Sequence, residues 1–152
     1  MVDYHLHLLR KTRENMLRAV EDYSLERLNA VPTGFGNNLI WNIGHVIVTQ
    51  QLLTYSLSGL TPLVREDIIA KYRKGTKPDG NAPADEWEYL QETAFALPDQ
   101  TWTDYQAKVF QQYSPYTTSY GVILNSVEDA IVFNNLHESM HFGNVLSMRK
   151  LV

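Results

Sequence analysis

The segment from Leu39 to Leu57 places the strongest constraint on the fold. Its apolar residues point in nearly every direction around a helix, so other elements must cover that helix on most sides. Polar residues interrupt the segment too often for a membrane span: Asn42, His45, Thr49, Gln50, Gln51 and Thr54. We therefore predict a buried central helix over about residues 39–58, capped by Asn37 or Asn38 and stopped by Gly59.

Three further helices surround this one in the prediction. In the first, Leu9, Met16 and Val20 fall near one face, and Arg13 is assigned to the polar side. Pro98 is expected to end or kink the third helix. The predicted ranges are 4–22, 83–97 with a continuation over about 101–111, and 126–149, the last capped by Asn125 or Ser126.

Two long connections decide the order of the helices. Residues 59–83 read mainly as loop, with a turn or two of helix within EDIIAKYRKG, and residues 112–124 suit an extended segment that pairs locally. Long crossovers allow consecutive helices to run in the same direction. We therefore predict an all-α, four-helix bundle with up-down-down-up topology, with the long connections after helix 2 and helix 3.

Length and composition narrow the possible functions. The 152 residues suit a single domain over 1–152, and the net charge of −4 gives no general attraction for nucleic acid or anionic membranes. The chain has no Cys, which excludes disulfides, Cys-held zinc or iron–sulfur sites and a protein thiol nucleophile. The N-terminal residues do not resemble a signal peptide, so we expect a cytoplasmic protein.

The sequence H-E-x-x-H over residues 137–141 is the main chemical motif. Residues four apart share one helix face, so His137 and His141 can bind one ion. In zinc proteases a third ligand follows downstream, but the residues after His141 include no His, Asp or Glu. The short motif D-x-H-x-H around His5 and His7 needs a strand, whereas it lies in a predicted helix, so we expect no metal there.

A third ligand is available upstream. His45 is the only His on the apolar central helix, and polar groups on an inward-facing surface need a reason. Three neutral imidazoles suit Zn²⁺, Ni²⁺ or a similar ion with open coordination positions. The alternative is a core histidine at position 45 bonded to a neighbour, with two partly buried histidines stacked at one end of the bundle.

These residues also carry a resemblance. NNLIWNIGHV, followed after a long interval by HESMHFGNVLSMRKL, resembles the DinB/YfiT-like family of four-helix metalloproteins over essentially the whole chain. The resemblance implies an up-down-down-up bundle, a divalent metal held by His45, His137 and His141, and often a dimer. It also implies activities such as thiol S-transfer or thiol-dependent isomerisation, in which a low-molecular-weight thiol serves as cofactor.

Several functions stay open at this point. The first is a metal-dependent enzyme acting on a small molecule with a low-molecular-weight thiol, as a homodimer. The second is a non-catalytic helical domain whose metal site is structural or vestigial, active in self-association or stress response. The third is a metal-dependent hydrolase. Glu138 is the candidate catalytic base, and Trp41 and Asn134 are candidate contacts to a cofactor or ligand.

Overall fold

The computed structural model describes residues 1–152 and consists almost entirely of helices, which confirms the all-α prediction. The elements are α1 Val2–Arg18, α2 Leu25–Asn29, α3 Leu39–Thr54, α4 Glu66–Tyr72, α5 Ala84–Gln106, β1 Tyr116–Thr117, β2 Ile123–Leu124 and α6 Val127–Met148. A single-turn 3-10 helix at Ser56–Ser58 follows α3. No helix is both long and apolar enough to cross a membrane.

Helix α3 lies at the centre of the core, as its all-round apolar pattern predicts. Nearly all of its residues are buried, and the Asn38 side chain caps it by accepting a hydrogen bond from the Trp41 amide at 2.8 Å. The largest apolar cluster joins α3 to side chains of α1, α4, α5 and α6. Most polar side chains of α3, His45 among them, are therefore placed inside the protein, which is the setting of the candidate site.

Hydrogen bonds between helices give their relative directions. Helix α1 runs parallel to α6, because His5 bonds to Asn135 and Ala19, just after α1, bonds to Arg149, just after α6. It runs antiparallel to α5, because the later residue Arg13 bonds to the earlier residue Ala94, and Arg10 bonds to Asp99. The up-down-down-up order stays a prediction, which these contacts support.

Helix α5 continues through Pro98, contrary to the expectation that the helix ends or kinks there. A proline has no N–H, so the carbonyl four residues earlier, that of Ala94, loses its helical donor. The guanidinium of Arg13 donates to this carbonyl at 3.2 Å and replaces the missing bond. The assignment of Arg13 to the polar side of α1 was therefore wrong, because the residue is only 1% exposed.

The remaining connections contain the local structure that their sequences predict, a short helix and a local strand pairing. Residues 66–72 form α4, which packs on α3 through the buried side chains of Ile68 and Tyr72. Residues 116–124 form a small antiparallel hairpin with Tyr116 opposite Leu124, in line with the predicted local pairing. The Ser126 side chain caps α6 by accepting from the Asp129 amide at 3.1 Å, as predicted.

Candidate metal centre

His45 projects from α3 and is fixed by α4. Its Nδ1 lies 2.7 Å from the carbonyl oxygen of Tyr72. Since a carbonyl only accepts hydrogen bonds, Nδ1 carries the proton and Nε2 keeps its lone pair. The Thr49 hydroxyl is 3.4 Å from Nε2, which makes it a weak competitor for that lone pair. The local fold therefore leaves His45 ready to bind an ion through Nε2.

His141 is fixed in the same way by α3. Its Nδ1 lies 2.8 Å from Oδ1 of Asn42. The amide nitrogen of Asn42, Nδ2, donates to the carbonyl of Asn38 at 2.7 Å and to Oδ1 of Asn37 at 3.1 Å. These two bonds fix the orientation of the amide, so that its oxygen faces His141. The Nε2 lone pair of His141 is therefore free as well.

The three histidines converge although they come from two distant segments. One ring nitrogen from each of His45, His137 and His141 lies within 4.8 Å of the others. The centroids of the His137 and His141 rings are 4.6 Å apart, as expected for side chains one helical turn apart. Because Zn–N bonds are about 2.0–2.1 Å long, small side-chain rotations bring three such nitrogens onto one ion.

The electrostatic surroundings keep all three rings neutral. Burial, together with the charges of His141 and His45, lowers the pKa of His137 to about 3. Burial and the charge of His45 lower the pKa of His141 to about 4. Burial also lowers the pKa of His45, helped by the positive charge of Lys74 and opposed by the hydrogen bond to Tyr72. Metal binding requires neutral imidazoles, so the cluster holds its ligand form at neutral pH.

The donor set fits a divalent metal. Nδ1 of His137 is buried and has no hydrogen-bond partner in the protein, although an unpaired buried polar atom is unfavourable. Three neutral nitrogen ligands suit Zn²⁺ or Ni²⁺ and leave coordination positions for another ligand. This group of residues can therefore hold a divalent ion.

Trp41 and Asn134, the predicted cofactor contacts, lie beside the cluster. The Trp41 indole stacks on His45 with ring centroids 4.5 Å apart, and its Nε1 donates to the Thr76 hydroxyl at 3.0 Å. It is only 6% exposed, which favours a role in holding the His45 ring. Asn134 is buried with neither amide atom hydrogen-bonded, and it lies on the His141 face of α6 two turns earlier.

Glu138, the predicted base, faces away from the histidines towards α1. Its carboxylate is fully buried and accepts three hydrogen bonds from Arg13, at 2.7, 3.0 and 3.2 Å. Burial raises the pKa of Glu138, and Arg13 offsets part of that rise through its charge and its hydrogen bonds. The placement favours a structural role for Glu138 over the catalytic role predicted from the sequence.

A pocket of about 260 Å³ opens beside the cluster. His45 and His137 form part of its lining, whereas His141 does not and lies near Trp41 and Asn42. The walls are mainly apolar, and hydroxyl groups and one lysine complete them. The other lining residues are Thr49, Leu52, Leu53, Ser56, Leu57, Lys74, Tyr116, Thr118, Ser119 and Phe133.

The sequence alone did not identify three contributors to this site. The Tyr72 carbonyl is a backbone group and gives no sequence signal. Asn42 is a polar residue in an apolar helix, about one turn before His45. That position could have indicated a hydrogen-bond partner for a metal-binding histidine. Lys74 belongs to a basic cluster of the sequence, Lys71, Arg73, Lys74 and Lys77, which is expected to be solvated, with contact to an anionic cofactor as the alternative; Lys74 is exposed and lines the pocket. His5 and His7 lie outside the three-histidine group.

Comparison with known families agrees with the resemblance seen in the sequence. No curated protein matches the chain. The model of the DinB superfamily matches residues 8–145, which include all of the histidines of the cluster and most of α1 and α6. The chain therefore belongs to the DinB superfamily.

Proposed function

We propose that this protein binds a divalent metal ion, Zn²⁺ or Ni²⁺, through His45, His137 and His141, and transfers a low-molecular-weight thiol to an electrophilic substrate. The observation that carries the proposal is the convergence of three neutral imidazoles beside a pocket large enough for a small molecule. The chain has no Cys, so the sulfur must come from a separate molecule.

Each part of the site has a role in this proposal. A divalent ion with open positions supplies Lewis-acid activation, which favours the deprotonated form of a thiol near neutral pH. Tyr72 and Asn42 hold the His45 and His141 rings so that their Nε2 atoms face the cluster. The apolar side chains of Leu53 and Phe133 line the pocket and lower the polarity of its wall, which strengthens electrostatic interactions beside them.

The proposed reaction balances without an oxidant or a reductant. The thiol sulfur forms a bond to an electrophilic carbon, and the bond from that carbon to its leaving group breaks. The leaving group departs with the bonding electron pair, and the thiol proton passes to solvent. The protein contributes orientation and a lowered thiol pKa rather than a covalent intermediate of its own.

The pocket favours a thiol over water as the nucleophile. Hydrolysis benefits from a carboxylate that accepts a proton from water, as the Glu of H-E-x-x-H does in zinc proteases. No Asp or Glu lines this pocket, and Glu138 is engaged by Arg13. A thiol is a stronger acid than water, so its deprotonation depends less on such a base. The hydrolase alternative is therefore the weaker one.

Metal analysis and a transfer assay test the proposal together. Protein purified without a histidine tag should contain about one divalent ion per chain, and loss of the His137 ligand in His137→Ala should remove most of it. His7→Ala is the matched control, since His7 is exposed and outside the cluster. Metal-loaded wild type should accelerate the reaction of small thiols with an aryl chloride, releasing chloride.

Three outcomes separate the alternatives. Stoichiometric metal with acceleration of the thiol reaction supports the proposal. Stoichiometric metal without acceleration of transfer or ester hydrolysis indicates the non-catalytic domain with a structural site. Absence of metal, together with a melting temperature that added Zn²⁺ and Ni²⁺ leave unchanged, would reject the metal-dependent function.

We further propose that residues 1–152 form one domain that acts in the cytoplasm as a homodimer. Val132, Leu136 and Met140 form an exposed apolar stripe along α6, since residues four apart share a helix face. Such a stripe is suited to pack against its own copy. Sedimentation of wild type and of Leu136→Lys tests this, because the charged variant should be monomeric at concentrations where wild type is dimeric.

A further inference from the structure

Lys74 lines the pocket beside His45, and its ammonium has no acidic partner. The acidic residues nearby are paired with Lys71 instead, whose Nζ is 3.0 Å from Glu86 and 3.9 Å from Asp79. No Asp or Glu lines the pocket. The positive charge of Lys74 is therefore not neutralised by the protein within the pocket.

The backbone around Lys74 is anchored to α3 on both sides. The Tyr72 carbonyl accepts the hydrogen bond from His45, and the Thr76 hydroxyl accepts one from the indole of Trp41. The same hydroxyl bonds to the carbonyls of Lys71 and Arg73 at 2.8 Å, which closes the turn. Lys74 is exposed, but it lies on a turn whose backbone is tied to His45 and Trp41, so the fold fixes its Cα beside the pocket.

A bound ion would make the pocket strongly positive. Imidazole ligands carry no charge, so the three histidines would leave the charge of a divalent ion uncompensated, and Lys74 adds a further positive charge. The chain as a whole is negative, with a net charge of −4, so this local field differs in sign from the rest of the molecule. Such a pocket selects an anionic ligand over a neutral or cationic one.

We propose that the low-molecular-weight thiol carries a carboxylate and that Lys74 binds this carboxylate while the sulfur lies at the histidine cluster. Leu53 and Phe133 line the pocket as well and can pack on an apolar stem between the two ends. The volume of about 260 Å³ is slightly below the usual range of ligand pockets, about 300–1,000 Å³, so the bound part of the thiol is small. Lys74 is a specificity residue that rests on the proposed thiol function.

Two thiols that differ only in their far end provide the test. Mercaptohexanoate ends in a carboxylate and mercaptohexanol in a hydroxyl, and both stems are too long for favourable chelation of one ion by both ends. Cobalt-loaded protein reports sulfur binding directly, through the ligand-to-metal charge-transfer absorbance that a thiol ligand produces. Titration at low salt then gives a dissociation constant for each thiol without any turnover.

Wild type should bind mercaptohexanoate more tightly than mercaptohexanol, by up to about fivefold, the upper end of the range for an exposed ion pair such as one with Lys74. Lys74→Met should abolish that preference and leave the affinity for mercaptohexanol unchanged, whereas Lys74→Arg should restore it. Lys77→Met is the matched control, because Lys77 is an exposed cation of the same connection that does not line the pocket. Raised salt should weaken the preference in wild type.

The outcomes distinguish this inference from the function on which it rests. Sulfur absorbance with both thiols but equal affinities in wild type would overturn the role of Lys74 and leave the thiol function standing. A preference that survives in Lys74→Met would also overturn it. Absence of sulfur absorbance with either thiol, in protein that holds cobalt, would reject the thiol function and the inference together. Circular dichroism of each variant checks that the fold is retained.

Discussion

Replacement of Glu138 by leucine tests whether this residue is structural or catalytic. The substitution removes three hydrogen bonds, of 2.7, 3.0 and 3.2 Å, and leaves the guanidinium of Arg13 buried without a counter-charge. Breaking a buried ion pair on one side costs about 3–5 kcal/mol. Domains have a free energy of unfolding of about 5–15 kcal/mol, so Glu138→Leu should be severely destabilised.

Removal of both charges should be much less harmful than removal of one. Arg13→Met combined with Glu138→Leu leaves no unpaired charge, and buried ion pairs replaced by apolar residues of similar volume often lose little stability. The double variant still leaves the Ala94 carbonyl without the donor that Arg13 supplies, at a cost of about 1–3 kcal/mol. Pro98→Ala restores an N–H at the helical position, so the triple variant should recover that loss.

Urea unfolding of metal-free protein measures these differences, since chelator separates the stability of the fold from metal binding. The order of stability should be Glu138→Leu lowest, then the double variant, then the triple variant close to wild type. A cost below about 1 kcal/mol for Glu138→Leu would refute the reasoning, because an uncompensated buried cation is not so weakly unfavourable. A double variant that folds and binds metal but loses thiol transfer would instead make Glu138 catalytic.

Three further predictions concern the histidine cluster. A hundredfold excess of metal over its dissociation constant should stabilise wild type by about 2.7 kcal/mol, whereas thermal melts of His45→Ala should show little response to metal or chelator. Asn42→Ala removes the acceptor for His141 Nδ1 and should weaken metal affinity about 10–100-fold in competition with a coloured chelator; unchanged affinity would contradict this orienting role. The lowered pKa values of His137 and His141, about 3 and about 4, mean that the unfolded chain takes up protons that the folded protein resists. The free energy of unfolding of metal-free protein should therefore fall as pH drops from about 6.5 towards 4, by up to about 1.4 kcal/mol per pH unit for each histidine. Urea unfolding of the double variant with His137→Leu and His141→Leu should show less of this fall.

The sequence predicted the parts of the fold that depend on local pattern. The apolar periodicity of α3 identified the central helix, and Asn38 and Ser126 were among the caps expected for α3 and α6. The spacing of His137 and His141 also depends on local pattern alone: four residues make about one helical turn, so both lie on one helix face. Their meeting with His45 was a hypothesis from its place as the only His on the apolar central helix, beside the alternative of a core histidine, and the family resemblance supported the first reading.

The errors arose where a distant residue decides a local feature. Pro98 normally ends a helix, and nothing near it in sequence shows that Arg13 supplies the missing donor. Arg13 itself lies between Leu9 and Met16 on the buried face of α1, at spacings of four and three residues. A charged residue in that position needs a buried partner, so the apolar spacing around Arg13 itself indicates an ion pair inside the protein.

The contrast between Glu138 and its neighbours shows why the H-E-x-x-H motif does not determine function by itself. Consecutive residues of a helix point about 100° apart, so Glu138 faces a different neighbour from His137. Here that neighbour is α1, and Arg13 neutralises the carboxylate away from the pocket. The pocket therefore keeps no acidic group to accept a proton or to oppose an anion, and Lys74 is its only charged side chain. The same pairing that keeps a carboxylate out of the pocket leaves Lys74 unopposed there, and this is the observation on which the proposal of an acidic thiol, rather than water, as the ligand rests.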